Sequence, residues 1–449
     1  MNLFSTIAAI STPYGTGGIS IIRISGSRAL EIADKVFKAS SKKKLAHVPS
    51  HTIHHGHIVS AEGKVLDEVL ASVMLSPRTY TGEDTVELNC HGGLFTTKRI
   101  LEEVLKAGAE NASRGEFTKR AFLNGKTDLA RAEAVIDLIN SKTNLEQSIS
   151  VNHLGGALSA KINSLRERLI TLLAHVQVLI DYPDEELEPL SEDEFLRELK
   201  EIKNESAALL ATSEAGSLIK NGIATAIVGK PNVGKSSLLN ALIGEDRAIV
   251  TSVKGTTRDT IHETITYSGI KINFIDTAGI HESDDQVESI GIEKSKQSVE
   301  NAHIVLAVFD ASEPLDKEDK QIINLTNNKK VINILNKTDI SKNKTELNGI
   351  QISALNKQGI NLIKDTILNT AIETKIDFSG LIITNERHIQ TIKQALKQID
   401  QILKDINFQT VDILDMQAKE LWQTLGKITG ETENEDIISG IFAKFCLGK

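Results

Sequence analysis

Gly229-Lys230-Pro231-Asn232-Val233-Gly234-Lys235-Ser236 is the stretch that decides the fold. The residues before it, Ile223-Ala224-Thr225-Ala226-Ile227-Val228, read as a buried β-strand. Those after it, Ser237-Leu238-Leu239-Asn240-Ala241-Leu242, read as the first turns of a helix. Strand, glycine loop and helix in that order are the context of a phosphate-binding loop. Glycines let successive backbone N–H groups turn inward onto anionic oxygens, and the helix N-terminus adds the positive end of its dipole. Lys235 supplies a point charge for the outer phosphates, and the Ser236 hydroxyl is placed to ligate Mg2+. A plain glycine-rich turn would explain this stretch alone, but three further nucleotide motifs follow it in order.

Downstream, Thr251-Ser252-Val253-Lys254-Gly255-Thr256-Thr257-Arg258-Asp259 carries a threonine pair suited to a switch that reaches Mg2+ and the terminal phosphate. The strand Lys271-Ile272-Asn273-Phe274-Ile275 delivers Asp276-Thr277-Ala278-Gly279. There Asp276 can hold Mg2+ through water, and the Gly279 N–H can sense a γ-phosphate. A strand at 331–335 ends at Asn336-Lys337-Thr338-Asp339. The Asp339 carboxylate can accept both N–H donors of a guanine edge; adenine offers no such pair and would leave the charge unpaired. Ser353-Ala354-Leu355 can close over the base. Alternating strands and helices over 222–372 predict a parallel, doubly wound sheet, and the motif order makes it a GTPase. The residue after Gly279 is Ile280, where a Ras-type protein has a water-orienting glutamine. Hydrolysis therefore needs another group. The acids Glu282, Asp284, Asp285 and Glu288 are candidates, and Asn232 is an oxygen ligand placed for a further cation beside the phosphates.

A chain of 449 residues exceeds one core, so several domains are expected. The net charge of −9 argues against a surface coated with cations for nucleic acid, so any RNA contact must rest on a local patch. Cys90 and Cys446 stand far apart without metal-ligand spacing, which suggests a reducing compartment. Neither a signal peptide nor an 18-residue apolar run is evident. Residues 1–120 read as an α+β domain, with strands near 6–10, 18–25, 65–75 and 85–88 and helices at 27–37, capped by Ser27, and 94–107. His54 falls on the opposite strand face from His55 and His57, against a metal cluster. Residues 121–221 read as helices: one capped by Asp128, one striped by Leu158, Ile162, Leu165, Leu169, Leu172, Val176 and Leu179, and one from Ser191 to about Ile219. Helical periodicity returns over 373–449, with Leu396, Ile399 and Leu403 on one face, so the 222–372 domain reads as an insertion into a helical bundle. The tail Cys446-Leu447-Gly448-Lys449 would by itself be a frayed end.

End to end, the sequence resembles the MnmE (TrmE) tRNA-modification GTPase family. The resemblance rests on Gly17-Gly18-Ile19-Ser20-Ile21-Ile22-Arg23-Ile24-Ser25-Gly26, Tyr80-Thr81-Gly82-Glu83-Asp84-Thr85-Val86-Glu87 and His91-Gly92-Gly93. It rests equally on Arg114-Gly115-Glu116-Phe117-Thr118-Lys119-Arg120-Ala121-Phe122-Leu123-Asn124-Gly125-Lys126, on Asp128-Leu129-Ala130, on the GTPase motifs and on the terminal Cys446-Leu447-Gly448-Lys449.

The resemblance implies a multidomain protein: an α+β N-terminal domain, a helical bundle and an inserted Ras-like doubly wound P-loop GTPase domain. It implies that the N-terminal domain dimerises and binds 5-formyltetrahydrofolate, with Arg23, Glu87, Lys126 and Lys449 at the folate-contacting positions. Lys449 would then fold back onto the pocket, with the Cys446 thiol beside it. In the GTPase domain it implies a nucleotide site of 232–237, 251–257, 276–279, Asn336, Lys337, Asp339 and 353–355. K+ would be held by Asn232, Thr251, Val253 and Thr256, and Mg2+ by Ser236 and Thr257. Glu288 matches the acid that orients the attacking water, and Lys235 acts with it. His281 stands where arginine is common, and Leu447 where isoleucine is. The implied partners are a second copy, the FAD protein MnmG and tRNA, with no membrane and no DNA. The implied reaction installs an aminomethyl or carboxymethylaminomethyl group on C5 of a wobble uridine in the cytoplasm. Two rivals are a ribosome-assembly or RNA-binding GTPase switch and a folate-binding protein whose GTPase domain only regulates assembly.

Overall fold

The computed structural model describes residues 5–181, 192–244, 263–275, 296–341, 347–372, 380–405 and 410–449. The chain divides into two units. The first takes Met1–Ile139, His153–Ser191 and Lys404–Lys449; the second takes Asn140–Asn152 and Glu192–Leu403. The helices at 192–221 thus fall in the same unit as the GTPase motifs.

The first unit contains β1 (Ile7–Ile10), β2 (Ile19–Ser25), β3 (Phe37–Ala39), β4 (Thr52–Val59), β5 (Val65–Met74), β6 (Thr85–His91) and β7 (Glu110–Asn111). They form one sheet in the order β3-β4-β5-β6-β2-β1-β7, antiparallel except for the β1–β7 pair. The alternation of side chains along a strand sorts this sheet into two faces. Ile22, Ile24, Val86 and Leu88 enter a core with Ile32 and Ile100, from the helices Ala29–Val36 and Leu94–Lys106. Arg23, between Ile22 and Ile24, therefore points to the other face. There Ile7, Ala9 and Ala112 pack with Phe117 of the helix Glu116–Leu123.

Helix Ala29–Val36 is not capped by Ser27: its N-cap is Arg28, with no side-chain cap bond, and the Thr6 Oγ1 accepts the free Arg28 N–H at 3.0 Å. The partner is tertiary, so local spacing misidentifies it. Asp128 does cap helix Leu129–Asn140, its Oδ1 accepting from the Arg131 N–H at 2.8 Å. Helix Ala157–Asp181 buries Leu158, Ile162, Leu165, Leu169, Leu172 and Val176 of the stripe its periodicity predicts; the side chain of Leu179 lies outside the described residues. His55 and His57 share one face of β4 with ring centroids 6.1 Å apart, and His54 instead meets Thr52.

The second unit contains β8 (Ile223–Val228), β9 (Glu263–Tyr267), β10 (Ile270–Ile275), β11 (Ile304–Asp310), β12 (Lys330–Asn336) and β13 (Ile350–Gln351). Their order is β13-β12-β11-β8-β10-β9. The five strands from β13 to β10 run parallel, and β9 joins antiparallel. Only Ser268 and Gly269, both at positive φ, separate β9 from β10, and a two-residue loop permits nothing but a hairpin. Ile304, Leu306 and Val308 enter one core while Val305, Ala307 and Phe309 enter another. β11 is therefore buried on both faces, as a doubly wound sheet requires.

Two helical details differ from the sequence reading. The helix expected to reach Ile219 is two, Glu192–Ala211 and Ser213–Asn221. The Thr212 hydroxyl both donates to the Leu209 carbonyl at 2.8 Å and accepts from the Ile383 N–H at 3.0 Å, which breaks the run. In helix Glu386–Asp405 the buried stripe is Ile389, Ile392, Ala395, Ile399 and Ile402; Leu396 and Leu403 are only partly covered.

Candidate functional site: a phosphate loop and a tail-closed cluster

The loop between β8 and the helix Lys235–Ile243 is fastened on both sides. Gly229 lies against β11, where a Cβ would stand 2.5 Å from the Val308 carbonyl oxygen. The Lys230 Nζ reaches Asp316 at 2.8 Å and Asp319 at 3.2 Å. Asp316 raises the Lys230 pKa, and Lys230 holds the Asp316 carboxyl down at about 2. Val233 is buried, and its carbonyl accepts from the Asn336 Nδ2 at 2.8 Å. Gly234 has φ +95°, a left-handed turn into the helix that suits a residue with no Cβ. Between these anchors Asn232 is exposed at φ +63°. Lys235 folds over the loop, donating to the carbonyls of Gly229 at 2.9 Å and Lys230 at 2.8 Å, and burial lowers its pKa. Ser236 is half-buried and Ser237 exposed.

Asn336 ties this loop to the candidate base pocket. Its Oδ1 accepts from the Ala354 N–H at 3.0 Å while its Nδ2 holds Val233. Lys337 has φ +64° and its Nζ meets Asp310 at 2.6 Å. Burial opposes ionisation of Asp310, but Lys337 and Ser312 outweigh it and keep the carboxyl below its usual range. Ser353 is fully buried, and its Oγ accepts from the Asn356 N–H at 3.3 Å. Asp339 and Leu355 are exposed. Asn232, Val233, Gly234, Lys235 and Ser236 are thus brought to one end of the sheet with Asn336, Lys337, Ser353 and Ala354. Thr251, Ser252, Val253, Lys254, Gly255, Thr256, Thr257, Asp276, Thr277, Ala278, Gly279 and Glu288 lie outside the described residues, as does His281.

A second cluster lies in the first unit. Arg23 and Glu87 are direct cross-strand partners on β2 and β6, and the Arg23 Nε donates to the Glu87 Oε1 at 2.7 Å. The Arg23 guanidinium lies 5.5 Å from the Phe117 ring centre and 5.9 Å from that of Tyr80. Tyr80 Oη and Thr118 Oγ1 are 2.9 Å apart. Buried Arg120 donates to Glu83 at 3.1 Å, to Glu116 at 2.9 Å and to the Ser5 carbonyl at 2.7 Å, pinning the 80–84 loop to helix Glu116–Leu123.

The tail closes on this cluster. Phe445 packs on Phe442, the Gly115 N–H donates to the Cys446 carbonyl at 3.4 Å, and the Ser11 Oγ donates to the Gly448 carbonyl at 3.0 Å. Gly448 has φ +87°, and a Cβ there would collide with the Ile10 carbonyl. Burial and then Arg23 lower the Lys449 pKa, against the opposite pull of Cys446 and Glu87. Lys126 is exposed, its aliphatic stem beside Gly82.

Two family models match: "MnmE helical domain" over residues 129–446 and "GTP-binding protein TrmE N-terminus" over residues 6–126. A tRNA modification GTPase MnmE of Thermoanaerobacter pseudethanolicus is 46% identical over 459 residues, covering 100% of each chain. One of Lactobacillus johnsonii is 45% identical over 462 residues, covering 99% of this chain and 98% of the relative. This chain belongs to the MnmE tRNA-modification GTPase family. Among solved structures, Era bound to MgGDPNP and a segment of 16S ribosomal RNA is 29% identical, covering 39% of this chain and 65% of its own, with a TM-score of 0.26. Within the MnmE family frame, the Lys230 clamp and the Arg120 network are the two features that motif reading passes over. Lys230 finds its acids 86 and 89 residues away, and only the fold brings them together.

Proposed function

We propose that this chain is a K+-activated, Mg2+-dependent GTPase that acts with the FAD protein MnmG in the cytoplasm on the wobble uridine of certain tRNAs. It adds an aminomethyl or carboxymethylaminomethyl group at C5, with 5-formyltetrahydrofolate as source of the one-carbon unit. Asn232 through Ser237 hold the phosphates, Asn336, Lys337 and Asp339 the guanine, and Ser353 to Leu355 close over it. Ser236 and Thr257 ligate Mg2+, which offsets charge on the β- and γ-phosphates. Asn232, Thr251, Val253 and Thr256 ligate K+, and Glu288 orients the attacking water. Lys235 leaves the loop carbonyls for the phosphate oxygens, which satisfy an ammonium better than two neutral acceptors do.

Arg23, Glu87, Lys126 and Lys449 form the folate site of a homodimer. The observation that carries this reading is the return of the tail to the Arg23–Glu87 pair. That return places cations and a carboxylate in one half-buried cluster, suited to the glutamate carboxylates and pterin N–H groups of a folate. A ribosome-assembly switch has no use for such a cluster. Mass spectrometry of wobble uridines from a deletion strain tests the proposal. The C5 modification should vanish and return with the wild-type gene, and an unchanged nucleoside profile overturns it.

A further inference from the structure

Asn232 sits at the apex of the phosphate loop, and among the described residues nothing bonds its side chain. Among these residues, its position depends on what flanks it in the chain. On one side stands buried Val233, tied to Asn336; on the other stand Pro231, whose ring fixes φ, and Lys230. Lys230 is the anchor of that second side. Its side chain is 12% exposed, and it is held by Asp316 and Asp319 at the start of helix Lys317–Thr326.

Those acids are themselves fixed. Each accepts the other's backbone N–H, at 2.9 and 3.1 Å, in a reciprocal cap, and the Asp319 side chain is 3% exposed. A rigid helix start thus grips the residue two positions before the free amide. The Lys230 carbonyl also receives the Lys235 Nζ at 2.8 Å, so the same anchor fixes an acceptor for the phosphate lysine.

We propose that Lys230, gripped by Asp316 and Asp319, is a positioning residue for Asn232. It holds the loop so that the Asn232 amide is presented to a monovalent cation beside the phosphates. This rests on the K+ reading above and extends it to a residue that touches neither ion nor nucleotide. A direct phosphate contact is the competing role for Lys230. It would have to abandon two carboxylates, one of them buried, and Lys235 already supplies the loop's mobile cation.

The test uses the full chain and compares wild type, Lys230→Met, Lys230→Arg and Asp316→Asn. GTP turnover is followed as KCl replaces NaCl at constant ionic strength, alongside melting curves and fluorescent-GDP affinity in NaCl. Removing a partner bonded directly to a metal ligand typically weakens the metal by 10–100-fold; Lys230 acts less directly, through the backbone, so Lys230→Met should raise the K+ needed for half-maximal turnover by up to about tenfold. Turnover at saturating K+ and GDP affinity in NaCl should stay near wild type. Lys230→Arg, whose fork reaches both acids, should recover most of the shift. Asp316→Asn should give a smaller shift in the same direction, and serves where Lys230→Met melts early. An unmoved K+ half-saturation in both Lys230→Met and Asp316→Asn overturns the inference, as does loss of GDP affinity in NaCl without a K+ shift. Wild type that ignores K+ overturns the K+ reading itself, and the inference with it.

Discussion

Cys90 and Cys446 are chemically unlike. Burial pushes the Cys90 thiol up to about 11, and its Sγ donates to the Ser20 carbonyl at 3.2 Å, whereas Cys446 is exposed. Only thiolate reacts, so brief iodoacetamide treatment at pH 8 should label Cys446 alone in the native protein and both cysteines in urea. His91 is the clearest pH-sensitive group. A hydrogen bond with Asp67 at 2.6 Å raises its pKa above the ordinary histidine value. A folded pKa raised above the unfolded one stabilises the fold fully below the unfolded value and loses that effect as pH rises through the folded value. NMR titration should find His91 protonated to higher pH than a free histidine, and Asp67→Asn should abolish the difference. At position 288, Glu288→Ala should bind GTP normally and cut turnover by about 10²–10⁴-fold, the range for a lost proton-transfer group. Unchanged turnover would move the water-orienting role to another acid. At this scale the sequence was most legible where a residue acts with its chain neighbours, as in 229–237. It was mute where partners are distant: nothing near Lys230 announces Asp316, and nothing near Arg120 announces Glu83.

Elements follow the same divide. An isoleucine-rich run of strand-forming residues located β2, and period 3.6 located helix Ala157–Asp181, because burial of one face dictates that period. The break at Thr212 escaped because a threonine inside a helical pattern is ordinary; the Ile383 N–H that draws its hydroxyl away comes from 171 residues downstream. The antiparallel entry of β9 was readable in principle from Ser268-Gly269, a two-residue turn of the hairpin type. The tail is the strongest case. A four-residue chain end by itself predicts fraying, and only the family resemblance foretold docking. Gly448 permits that docking by its left-handed backbone. Gly448→Ala should cost about 1–2 kcal/mol in handedness alone, before its collision with Ile10 is counted. We expect it to release the tail and weaken 5-formyltetrahydrofolate binding by calorimetry, with GTP affinity untouched. Full folate affinity in this variant would sever the tail from the site.

At the scale of the whole molecule, the proposed nucleotide chemistry would lean on an ion where the chain offers Ile280. GTP turnover should be much faster in KCl than in NaCl of equal strength; equal rates would refute K+ activation. The doubly wound sheet and its motifs were plain from sequence because they are contiguous. The division into two units was harder to read, since one of them is assembled from three separated stretches. That interrupted layout has a bearing on birth as well as on action. Synthesis proceeds from the N-terminus at about 5–20 residues per second, and domains fold as they emerge. The six-stranded sheet, whose strands all lie between 223 and 351, has every partner it needs while residues from 404 onward are still unmade. Its host must wait with an open seam for the last helices. A ribosome stalled late would thus hold a nascent chain equipped to grip nucleotide, yet still lacking the residues that finish its other half.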